Sequence, residues 1–74
     1  MTIEEYQELI ALLEELAEEK LLQRKTSERC AEEADTDTLK DWQLEWAAKY
    51  GIMYSRIDRA IRNVKGTHVI AHLE

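Results

Sequence analysis

The side chains best suited to recognition chemistry are cationic. Arg56, Arg59, Arg62 and Lys65 recur every third residue, a spacing that keeps them near one side of a helix. Joined by His68 or Arg29, such a row could engage phosphate or an acidic protein partner. The same row has a purely structural use. Cations near a helix C-terminus complement its dipole, and an acidic neighbouring helix would balance them. Duplex DNA is a poor fit, because the 74-residue chain carries a net charge of −6. RNA or a phosphorylated small ligand is the alternative partner for this face.

Catalytic and metal chemistry find little to build on. His68 and His72 stand four apart, as two zinc ligands do on a helix, but a site needs further ligands and Cys30 is the only thiol. Cys30 has no catalytic motif around it in the sequence and reads as a small packing residue. The many glutamates offer carboxylate pairs everywhere, which on a wet helix face means solvation rather than a general acid and base. The expectation is a non-enzyme with no catalytic residue, no metal and no cofactor.

Arg62-Asn63 followed by His68 resembles the Arg-x(4–6)-His signature of the HEPN nucleases. In that family such an Arg-Asn and His line an RNA-cutting site within a four-helix module. The resemblance spans seven residues, with Gly66 between its two halves. It implies an RNase-like variant of the RNA-binding alternative.

The elements that must carry these residues are helical. The chain has no Pro, two Gly and an abundance of Glu, Leu, Ala, Lys and Arg, residues that enter a helix at small cost. Thr2 with Glu5 makes a capping box. Behind it, Ile3, Tyr6, Leu9, Ile10, Leu13, Leu16, Ala17 and Leu21 form an apolar face. Extending that phase places Ala31 inside and carries the first helix over 2–34. A break at Thr26 or Ser27 is the competing reading. Lys20 and Arg24 share the apolar phase, so either the core ends there or an acidic group answers them.

Asp35-Thr36-Asp37-Thr38 is the evident turn. Thr38, or else Asp37, should cap a second helix over 38–65, antiparallel to the first. Leu39, Trp42, Trp46, Tyr50, Met53, Ile57, Ala60, Ile61 and Val64 lie on one side of it. Gly51 interrupts the composition but not the phase, which favours one unbroken helix. Gly66 is the expected stop. A short C-terminal segment, 67–74, follows, and its Leu73-Glu74 pair matches a common vector scar.

The predicted fold is therefore an all-α antiparallel helical hairpin in a single domain over 1–74. Two helices bury only one stripe each, and one cysteine cannot form an internal disulfide. Pairing of two hairpins into a homodimeric four-helix bundle supplies the missing cover. Leu9, Leu13, Leu16, Trp42, Trp46, Tyr50, Met53 and Ile57 are the expected self-association residues. Residues 1–37 carry twelve acidic and four basic side chains, and residues 38–74 four and six. Those halves attract one another in an antiparallel hairpin or dimer.

The longest apolar run, residues 9–13, is far short of the roughly 20 residues that span a bilayer. With a lone cysteine and no signal peptide, a cytoplasmic protein is expected. The function these features favour is a non-enzymatic interaction module of the inhibitor, adaptor or regulator type, of the kind common among phage and mobile-element products. It would act by occupying the surface of a protein partner.

Overall fold

The structure, a computed structural model, describes the backbone of residues 2–73 and the side chains of residues 2–67. Within them, helix α1 (Ile3–Glu32) turns back onto helix α2 (Asp37–Leu73), and no strand is formed. The fold is all-α. No helix is long and apolar enough to cross a membrane among the described residues.

Thr2 begins α1 from an extended backbone, its Oγ1 accepting from the Glu5 N–H at 3.1 Å, with Glu4 and Glu5 in the first turn. The helix is unbroken at Thr26 and Ser27. Thr26 donates its hydroxyl back to the Leu22 carbonyl at 3.0 Å, so it spends its polar group within the helix instead of capping a new one. Glu33 closes the last turn, its N–H reaching the Arg29 carbonyl at 3.1 Å.

The second cap falls earlier than Thr38 or Asp37. Thr36 Oγ1 accepts from the Leu39 N–H at 3.2 Å, and the Thr36 carbonyl accepts from the Lys40 N–H at 3.0 Å. Those are the two bonds of an N-cap residue. The helix also passes Gly66, correcting the expected stop there and the separate segment after it. A glycine ends a helix by taking a left-handed turn, and neither glycine has a positive φ. Helix α2 therefore runs on as far as Leu73.

Burial reveals a regular comb. In α1, Tyr6, Ile10, Leu13, Ala17, Lys20, Arg24, Ser27, Ala31 and Ala34, which lies just past its end, are buried or half-buried. In α2 the same holds for Gln43, Ala47, Tyr50, Tyr54, Ile57, Ile61 and Val64. Steps of four and three alternate throughout, the spacing of a two-helix coiled-coil seam. Toward the turn the seam is made of small residues, Ser27, Ala31 and Ala47, which lets the helices approach closely. Toward the open end it carries Leu, Ile and Tyr.

This seam is rotated from the expected stripe. Ala47 and Tyr54 point inward where Trp46 and Met53 were anticipated. One neighbouring helix covers only a narrow arc, and the apolar arc of α2 is wider than that.

Candidate functional site

The two flanks of the hairpin have different chemistry. Glu14, Glu18 and Leu21 of α1 share a shallow groove with Tyr54, Asp58 and Lys65 of α2. Lys65 Nζ lies 3.2 Å from Glu14 Oε1 across it. At about 100° per residue, Gly51 and Asp58 occupy this same side of α2. On this flank Arg24 reaches over from α1 to Gly51. It is the polar flank.

The opposite flank is apolar and open. By the same helical geometry it collects Leu9, Leu12 and Leu16 of α1 with Leu39, Trp42, Trp46 and Met53 of α2. Leu12 is 64% exposed and Trp42 53%, while Leu16, Leu39 and Met53 are also exposed. The aromatic side chains form a ladder. Trp42 meets Trp46 edge-on at 6.4 Å, and Trp46 lies 5.7 Å from Tyr50. Lys49 Nζ sits 4.7 Å from the centre of the Trp46 ring, a cation–π contact, and is held toward Glu45 at 3.6 Å.

The expected self-association residues thus divide. Leu13, Tyr50 and Ile57 lie in the intramolecular seam. Leu9, Leu16, Trp42, Trp46 and Met53 face the open flank, half-buried or exposed. Leu12 joins them, a residue the sequence pattern left out because it stands one position off the apolar phase.

The basic row divides as well. Arg62 Nη2 is paired with Asp58 Oδ2 one turn back at 3.1 Å, and Lys65 is paired with Glu14. Arg56 and Arg59 are exposed and line a different groove, together with Arg24, Gly51 and Ser55. Arg24 is the member that spacing along α2 could not reveal, since it arrives from the other helix. The side chain of His68 lies outside the described residues. So the HEPN-like pairing of Arg62 and Asn63 with His68 has no described geometry, and Arg62 itself is engaged with Asp58.

Lys20 and Arg24, the two cations in the apolar phase, are answered from within α1. Lys20 Nζ donates to Gln23 Oε1 at 3.1 Å and stands 5.8 Å from the centre of the Tyr50 ring. Arg24 Nε is 3.1 Å from Glu28 Oε1. Cys30 is a free thiol and is exposed, not packed as expected. By the same helical geometry it falls on the open flank, in line with Leu9 and Leu16, where no second helix covers it. Among the described residues, no group of three or more His, Cys, Asp or Glu side chains is arranged to hold a metal ion. The chain matches no protein family, no curated protein and no solved structure, so its own geometry carries the functional reading.

Proposed function

We propose that the chain is a non-enzymatic protein–protein interaction module of the cytoplasm, whose apolar flank pairs first with a second copy to make a four-helix bundle. The observation that carries this reading is the exposure of Leu12, Leu16, Trp42 and Met53 on one flank. The most buried side chains, meanwhile, are mostly alanine and serine. A folded chain of this mass would ordinarily expose about 4,700 Å². This one exposes 6049 Å². Covering the excess of roughly 1,300 Å² per chain would make an interface in the range of obligate homodimers. Trp42 and Trp46 are the residue types that anchor such contacts. An adaptor or inhibitor built this way would meet its further protein partner with the polar faces that the bundle leaves outside.

Light scattering after size exclusion, across a dilution series, tests the pairing. Twice the 8.7 kDa chain mass is expected, with tryptophan emission shifted to the blue. Leu16→Glu should return the monomer and the red-shifted emission of a hydrated indole. A wild-type chain that stays monomeric at 100-fold above micromolar concentration would end this reading.

A further inference from the structure

Arg24 crosses from α1 onto α2 at Gly51. A Cβ built on Gly51 would stand 3.4 Å from Arg24 Cδ and 3.8 Å from its Nη1. The guanidinium therefore lies against bare helix backbone, closer than it could to a bulky side chain. Its Nε is shielded from solvent, and the Glu28 carboxylate 3.1 Å away is its charge partner without forming a well-aligned hydrogen bond.

Arg56 and Arg59 line the same groove of about 460 Å³, with Ser55 and Ile52 also in its wall. Neither has an ion pair among the described residues, whereas Arg24, Arg62 and Lys65 are paired with Glu28, Asp58 and Glu14. Three arginines and a serine from two helices thus line one open groove. The groove lies away from the apolar flank, so a dimer formed there would leave it open.

We propose that this groove binds a small phosphoryl ligand, a mono- or diphosphate, through Arg24, Arg56, Arg59 and the Ser55 hydroxyl. Guanidinium matches phosphate oxygens in paired geometry, and a phosphoryl group has enough acceptors to serve several forks at once. A lone carboxylate has two oxygens and would leave donors unserved. A long polyanion would meet the net charge of −6 and the Glu28 carboxylate beside Arg24.

Isothermal titration with pyrophosphate and with inorganic phosphate at low salt tests the site, with a single-stranded RNA oligomer and an acidic peptide as competing probes. Pyrophosphate should bind, and Arg24→Gln, Arg56→Gln and Arg59→Gln should each weaken it about tenfold, as expected for losing a charge-assisted hydrogen bond. Glu28→Gln should tighten binding by freeing Arg24. Arg62→Gln should leave it unchanged, and Leu16→Glu, which addresses only the dimer, should leave it unchanged too. Circular dichroism of each variant guards against loss of the fold. The proposal is overturned if neither phosphate nor pyrophosphate binds. It is equally overturned if Arg62→Gln weakens binding as much as Arg59→Gln, which is the mark of diffuse attraction, or if RNA or the peptide binds more tightly than pyrophosphate.

Discussion

Gly51 and Gly66 share α2 but have opposite surroundings. Nothing lies within 4 Å of a Cβ placed on Gly66. Its replacement by Ala removes backbone freedom from the unfolded chain without a steric cost. Gly66→Ala should therefore stabilise the protein by up to about 1 kcal/mol. Thermal melts would show this as a rise of roughly 4–8 °C for each kcal/mol in a chain of this size. Gly51→Ala should gain less, since its new methyl meets Arg24. The caps offer a sharper contrast. Thr36→Ala should cost about 1 kcal/mol, the usual worth of an N-cap. Thr38→Ala should be near neutral, and denaturant midpoints of the two variants separate them. The sequence signalled a cap somewhere in this turn, but four short polar residues in a row compete for the role. Only the backbone path chooses Thr36.

At the scale of the helices, packing is governed by how small the seam becomes near the turn. Ala31 and Ala47 are 2% and 5% exposed, so added volume there must push the helices apart. Ala31→Leu should cost about 1–3 kcal/mol by overfilling, read in the urea midpoint, while the exposed Leu22 of the same helix should accept Ala with little effect. The inward phase of α1 was legible from its glutamates, which mark the wet side unambiguously. The phase of α2 was not. Two apolar combs lie side by side on it, one through Ala47 and Tyr54 and one through Trp46 and Met53, and periodicity favours the bulkier residues. Close helix approach selects the smaller set for the inside. The basic row shows the same limit, because Arg24 joins Arg56 and Arg59 only through the folded hairpin, and Asp58 and Glu14 remove Arg62 and Lys65 from it.

As a whole the molecule measures 57 × 17 × 12 Å, with a Cα radius of gyration of 16.8 Å. A globular chain of this length would have about 11 Å. Its stability should therefore depend on association. If two copies cover each other's apolar flank, the melting temperature must rise with protein concentration by mass action, and Leu16→Glu should abolish that dependence. A melting temperature identical at 1 and 100 times the starting concentration would contradict the coupling.

Two helices lying side by side make the body one helix thick. Each residue thus belongs to the seam, to a flank or to an outer edge, and no second layer stands behind any of them to absorb a change. Saturation mutagenesis scored for folding should consequently trace a sparse comb of intolerant positions through Ala17, Ser27, Ala31, Ala47 and Ile61. Scored for self-association, the intolerance should spread to Leu12, Leu16 and Trp42. Scored for phosphate retention, it should shift to Arg24, Arg56 and Arg59. In so thin a body the three maps can overlap very little, and each would report one property almost free of the others.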